Sequence, residues 1–246
     1  MHGVISLKEK HKIGILAGIF ALCCITFLAL SFRSYHKIDK MASALAGDEL
    51  PVIVLDPGHG GEDGGATGTT GILEKDINLA VALKLRRMLE ISGFQVVMTR
   101  DADISINDPD LPTIKERKVS DLHNRLKIIE EQGDCIFLSI HQNHFTDGKY
   151  YGSQIFYSAN DAQSKVMAES IRSEIIKLLQ PENTREAKPA TNSIYLLWNA
   201  KVPAVIVECG FLSNDSEAKK LSDPKYQEQM AFAVYSGFLD YWDARP

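Results

Sequence analysis

Pro51-Val-Ile-Val-Leu55-Asp-Pro-Gly-His59-Gly-Gly61 runs from an unbroken apolar stretch straight into a glycine-rich turn. An apolar run without polar alternation is the pattern of a strand buried on both faces, as in a parallel sheet. The glycines let the chain turn tightly behind it. Downstream, short apolar runs alternate with helical patterns, without an internal repeat. A helix is expected from about Glu74 to Ser92, with Ile77, Val81, Leu85 and Met88 at helical spacing, and Gly93 placed to end it. Gln95–Thr99 reads as a second strand, and 101–116 as a polar stretch with Pro109 and Pro112. A helix over 115–132 is closed by Gly133; Cys135–Ile140 and Gly152–Tyr157 read as strands. A helix over 161–179, a short strand at Ser193–Leu197, a strong buried strand at Ala204–Glu208 and a terminal helix over 224–243 complete the pattern. Alternation of this kind predicts one α/β domain over 51–246, with a mostly parallel sheet and helices on both faces.

The rest of the 246-residue chain is an appendage. Ile13–Phe32 is twenty residues without a charge, about the length that crosses a ~30 Å hydrocarbon core. Lys8, Lys10 and Lys12 precede it, and Arg33, Lys37 and Lys40 follow. Two readings compete. One is an uncleaved signal anchor. The other is a signal peptide cut after Ala44-Leu45-Ala46, although that site lies far past the apolar run and the run exceeds an ordinary signal core. The anchor is preferred. It gives a short cytoplasmic N-terminus at 1–12, a transmembrane helix at 13–32, a linker at 33–50 and an extracytoplasmic domain at the cell membrane.

Composition excludes little else. A net charge of −5 carries no basic signature for nucleic acid. Cys23 and Cys24 lie in the apolar run; Cys135 and Cys209 are isolated in expected strands. No disulfide framework is implied, and buried free thiols are preferred over a single bridge.

In open parallel sheets, ligand sites form beyond the carboxyl ends of the strands. His59 follows the first strand, His141 closes the third, Glu208 closes the strand from Ala204, and Glu74 begins the helix returning from the glycine loop. Singly, either histidine reads as a hydrogen-bonded structural residue and Glu74 as a first-turn acid stabilised by the helix dipole; Glu208 is harder to dismiss, since a carboxylate ending an apolar strand is costly unless paired or functional. Together they offer two imidazoles and a carboxylate, the ligand set typical of catalytic zinc, with Glu208 as general base.

Leu55-Asp-Pro-Gly-His59-Gly-Gly61, Glu62-Asp-Gly-Gly-Ala66, Leu73-Glu-Lys-Asp76, Ser139-Ile-His141 and Val207-Glu-Cys-Gly-Phe-Leu-Ser-Asn214 resemble the zinc-dependent N-acetylmuramoyl-L-alanine amidases of the amidase_3 family, AmiC/LytC type. The resemblance runs from about Val52 to Trp242. It implies a twisted, mostly parallel six-stranded sheet and hydrolysis of the amide between N-acetylmuramic acid and L-alanine in peptidoglycan. It places the Zn2+ ligands on His59, Glu74 and His141 and the catalytic glutamate on Glu208. Lys118–Arg125 and Tyr195–Lys201 are similar to the CwlD branch of spore-forming bacteria, which acts in forming muramic δ-lactam in the spore cortex. The same ligand set would serve a zinc peptidase or deacetylase acting on another wall substrate. A non-enzymatic, membrane-tethered wall-binding protein would lack part of the set, and all four residues are present.

Several neighbours are assigned more modestly. His144 could compete with His141 but falls in the loop. Asp56 and Asp63 could orient His59 or cap turns. Arg125 reads as an ion-pair partner and His123 as a surface residue. Some family members carry a helix that covers the zinc, inserted after the strand following the second histidine. Here that strand passes to the next helix through only Ser158, Ala159 and Asn160, too few for two helical turns. The expectation is an open site, controlled from outside the domain, for example by a regulatory protein partner.

Overall fold

The computed structural model describes Thr26 and residues 50–245. Apart from Thr26 and Leu50, the expected anchor and linker lie outside the described residues. Among the described residues, no helix is long and apolar enough to cross a membrane.

From Val52 onward, strands alternate with helices: β1 Val52–Pro57, α1 Glu74–Ile91, β2 Val96–Met98, α2 Ile114–Glu131, β3 Cys135–Asn143, β4 Gln154–Tyr157, α3 Ala162–Leu178, β5 Lys188–Pro189, α4 Tyr195–Asn199, β6 Ala204–Phe211, α5 Asp215–Ser222 and α6 Pro224–Asp243. They build one six-stranded sheet in the order β2-β1-β3-β6-β4-β5. β1 pairs in parallel with β2 and β3, and β3 with β6. β4 runs antiparallel to β6, and β5 follows β4. The expected α/β architecture is present, with one reversed edge.

Apart from the partly buried Val52, the apolar runs of β1, β3 and β6 are buried because helices cover both faces. On one side α1 buries Ile77, Val81, Leu85 and Leu89; Leu89, rather than the expected Met88, completes the stripe. α3 and α6 pack beside it closely enough that a Cβ on Gly237 would sit 2.4 Å from the Ile171 Cα. On the other side Val54, Phe137 and Ile206 pack with Leu126 and Ile129 of α2 and Leu196 and Leu197 of α4. Cys135 and Cys209 are buried free thiols.

Four local expectations change. Ser193–Leu197 is not a strand; Tyr195–Asn199 is a short helix. Leu196 and Leu197, neighbours in sequence, are both buried, which a period-two strand facing one core cannot do. α5 was not anticipated. Its signal is Asn214, whose side chain accepts from the Ser216 and Glu217 N–H groups as an N-cap. β3 runs on to Asn143 and β6 to Phe211, so His141 and Glu208 lie within their strands rather than closing them.

Asp56 ends the apolar part of β1 with no solvent exposure. Its carboxylate accepts from Thr99 Oγ1 at 2.6 Å, from Ser139 Oγ at 2.6 Å and from Arg125 Nη1, which is itself buried. Burial pushes the Asp56 carboxyl up, but Arg125 and the two hydroxyls outweigh it and hold its pKa below the ordinary value. The stabilisation is therefore present at neutral pH and is lost as pH falls through the lowered folded-state pKa. Asp56→Ala leaves the buried Arg125 with Asp121 as its one remaining carboxylate partner among the described residues and the Thr99 and Ser139 hydroxyls without theirs, and should destabilise the domain by about 3 kcal/mol. Breaking the exposed Arg86–Glu90 pair should change stability by less than about 1 kcal/mol. Denaturant unfolding checks both, and equal losses would contradict a buried ion pair at the root of the fold.

Candidate metal centre

The loop from His59 to Leu73 decides where the first two site residues lie. α1 begins without a side-chain cap. Its opening N–H groups are instead taken by the loop: Glu74 N–H donates to Ala66 O at 2.9 Å and Lys75 N–H to Gly64 O at 3.2 Å. The loop is thereby folded onto the helix N-terminus, and Glu74 meets His59. His59 itself has φ +63°, a left-handed conformation that a β-carbon disfavours. Such strain persists only where the surroundings over-determine it. Here Arg125 Nη2 donates to His59 O at 2.7 Å and Nη1 to Pro57 O at 3.0 Å. Arg100 Nε donates to Pro57 O at 2.9 Å and Nη2 to Gly58 O at 3.0 Å.

His59, Glu74 and His141 converge, their ligand atoms all within 4.8 Å of one another. Glu74 Oε1 lies 3.3 Å from His59 Nε2 and 3.0 Å from His141 Nδ1. Asp63 Oδ2 takes His59 Nδ1 at 2.8 Å, so Nε2 is the nitrogen turned to Glu74. That is the carboxylate–imidazole arrangement that orients metal-ligating histidines. Glu74 is fixed in turn by N–H groups of Ala66 at 2.9 Å and Gln142 at 3.0 Å.

Two glycines make room for the cluster. A Cβ on Gly58 would fall 2.1 Å from His141 Cε1 and Nε2, and one on Gly65 would fall 2.6 Å from Glu74 Oε2 and 2.8 Å from His59 Cδ2. Gly65 also needs φ +65°. The three side chains, backed by Asp63, thus form a cradle of two nitrogens and an oxygen shaped for a cation.

Electrostatics agree with that reading. Burial lowers the His59 pKa, but Asp63 and Glu74 outweigh it and raise it to about 9. A cation entering the cluster displaces that proton. Burial pushes the Glu74 carboxyl up, yet hydrogen bonds from both histidines hold it far below the carboxylate range. Glu208 is the register partner of His141 on the neighbouring strand, so both side chains leave the same face of the sheet. Its Oε2 is buried without a hydrogen-bond partner among the described residues. Burial pushes its pKa up to about 7, opposed by His141.

The structure therefore brings together all four residues that the sequence singled out. His144 lies in the loop after β3, exposed and outside the cluster. Asp63, not Asp56, touches the His59 ring. Arg125 is an ion-pair partner, as expected, and His123 is exposed on α2. Sequence reasoning missed Arg100 and Gln142. The site is also open. The His59 and His141 side chains are 25% and 21% exposed, β4 reaches α3 through residues 158–161, and residues 101–113 contain no helix.

Comparison with known proteins agrees with this geometry. The chain belongs to the N-acetylmuramoyl-L-alanine amidase family, whose sequence pattern matches residues 53–240. It is accordingly a hydrolase of the amide between N-acetylmuramic acid and L-alanine in cell-wall peptidoglycan. It is 40% identical over 191 residues to the germination-specific N-acetylmuramoyl-L-alanine amidase of Bacillus subtilis, covering 78% of this chain and 79% of that one. The amidase LytC of the same organism is 34% identical over 77% of this chain, a match spanning 35% of LytC. Among solved structures, the CwlD amidase of Clostridioides difficile in complex with the GerS lipoprotein superposes with a TM-score of 0.77 at 41% identity. That match covers 80% of this chain and 100% of CwlD.

Gly58→Ala tests the cradle. The added methyl must displace the His141 ring, so affinity for a divalent metal should fall about tenfold or more. Isothermal titration measures it, and unchanged affinity would show that His141 is not held where the cradle requires.

Proposed function

We propose that His59, Glu74 and His141 hold a catalytic zinc ion and that Glu208 is the general base of the amidase. The observation that carries this is the cluster itself: two imidazole nitrogens and one carboxylate within 4.8 Å, with a second carboxylate, Glu208, beside them whose Oε2 has no hydrogen-bond partner among the described residues. Three N/O ligands with one open position is the composition of catalytic rather than structural zinc. Bound there, zinc supplies Lewis-acid polarisation of the scissile carbonyl and lowers the pKa of water at the open position.

The remaining steps belong to side chains. Asp63 keeps the His59 ring in the tautomer that presents Nε2. The N–H groups of Ala66 and Gln142 hold the Glu74 carboxylate in place, and the two histidines keep it ionised. Glu208 takes a proton from the attacking water and returns it to the leaving nitrogen of L-alanine. A base buried enough for its pKa to rise to about 7 suits both halves of that task, since proton transfer is most effective near the operating pH.

The setting extends the proposal. The likeness to a germination-specific amidase and to CwlD supports a role in the spore cortex, removing stem peptides ahead of muramic δ-lactam formation. The uncharged run Ile13–Phe32 supports a single-pass anchor that leaves the domain outside the membrane. The open site supports control by a separate protein, and the lipoprotein complex of CwlD supports the same idea for this chain.

Glu208→Ala should retain one zinc per chain while losing about 10²–10⁴-fold in turnover. A His59→Ala, His141→Ala double variant should lose the metal. Elemental analysis of the purified protein, with mass spectrometry of digested peptidoglycan to identify the cleaved bond, checks both. Full zinc in the double variant, or near wild-type turnover in the first, would overturn the assignment.

A further inference from the structure

The same sheet edge carries a second feature that hydrolysis at the cluster does not use. Between β3 and β4 the chain places Phe145, Tyr150 and Tyr151 in solvent, 51%, 36% and 54% exposed. Scattered exposed aromatics are ordinary, but a contiguous group marks a contact surface. The Phe145 and Tyr150 ring centroids are 5.1 Å apart, and they lie 5.9 and 6.1 Å from the buried Phe211.

The rings are held in place. The Arg185 guanidinium stacks 4.5 Å from the Phe211 centroid and 5.9 Å from that of Tyr150, and its Nε donates to Tyr151 O at 2.8 Å. Phe145 N–H donates to Ser213 Oγ at 3.1 Å, and Asn214 Nδ2 donates to Gly148 O at 2.8 Å. A surface fixed in advance loses little entropy when it is covered.

Its position points to the substrate. Asn143 pairs with Phe211, as His141 pairs with Glu208 further back on the same two strands. At ~3.3 Å per residue, the Asn143–Phe211 pair, which the rings pack around, lies about 7–10 Å of strand beyond the His141–Glu208 pair, past a register shift. Peptidoglycan continues past the scissile amide along the glycan and along the stem peptide, and the stem peptide carries carboxylates. Arg185 is stacked on Phe211, and Lys149, 5.4 Å over Tyr150, pairs at the exposed surface with Asp147 at 2.7 Å. What remains on offer is aromatic faces with phenol edges, which suit the C–H face and hydroxyl rim of a pyranose.

We propose that Phe145, Tyr150 and Tyr151 form a subsite for a sugar ring of the glycan strand flanking the muramic acid that is cut. The proposal rests on His59, Glu74, His141 and Glu208 being the hydrolytic centre. It is tested on the full chain in detergent with two substrates: a muramoyl-peptide bearing one sugar, and the same peptide on a four-sugar glycan. In a Phe145→Ala, Tyr151→Ala variant, the ratio of kcat/KM for the long over the short substrate should fall about tenfold, with an unchanged thermal midpoint. Cosedimentation with peptide-free glycan strands should weaken in parallel. An unchanged ratio with retained cosedimentation overturns the subsite. A variant defect that tracks stem-peptide length instead overturns the glycan assignment and gives the surface to the peptide. If the wild-type chain cuts neither substrate, the reading of the hydrolytic centre fails, and cosedimentation alone decides the platform: weakened binding in the variant supports it and retained binding overturns it.

Discussion

The buried ion pair between Asp56 and Arg125 is the constraint from which the rest of the active edge hangs. Asp56 closes the apolar part of β1, where an unpaired carboxylate could not be tolerated. Arg125 meets it from α2 and, with the same guanidinium, binds the carbonyl oxygens of Pro57 and His59. One residue thus neutralises the strand end and pins the first turn of the loop in its strained form. Arg100 binds the Gly58 carbonyl between them. The His59 ring is placed from behind by its own backbone, and only then from the side by Asp63.

From that turn the geometry propagates outward. The glycine loop folds back, its carbonyls satisfy the uncapped start of α1, and Glu74 arrives at a helix N-terminus, where a carboxylate is favoured by the dipole. β3 contributes His141 through sheet register alone, and β6 sets Glu208 opposite it. A carboxylate between two imidazoles, with a second carboxylate left unpartnered alongside, is a set of charges that a divalent cation completes. The absent β-carbons of Gly58 and Gly65 matter here for a steric reason: the space they would fill is taken by the site.

Much of this was legible in the sequence because it depends on local rules. Continuous apolar runs gave β1, β3 and β6; helical spacing with terminal glycines gave α1 and α2; polar residues following or interrupting apolar runs gave His59, His141 and Glu208, and the helix start after the glycine loop gave Glu74. Three features were not legible, each for a physical reason. The reversal of β4 leaves no mark, since an antiparallel neighbour buried on both sides has the same apolar run as a parallel one. Residues 193–199 are too few for either period to show, so a short helix passed for a strand. Asp56 and Asp63 sit in the same motif and look alike, and only the tertiary path of α2 decides that one meets an arginine and the other a histidine ring.

In the proposed centre, Glu74 and two imidazoles share one zinc ion with a position left open. X-ray absorption at the zinc edge of the loaded protein reads that coordination directly. The expected result is a four-coordinate N/O shell at about 2.0–2.2 Å with imidazole scattering from two histidines and no sulfur. A shell containing thiolate sulfur at about 2.3 Å, or one without histidine scattering, would contradict it.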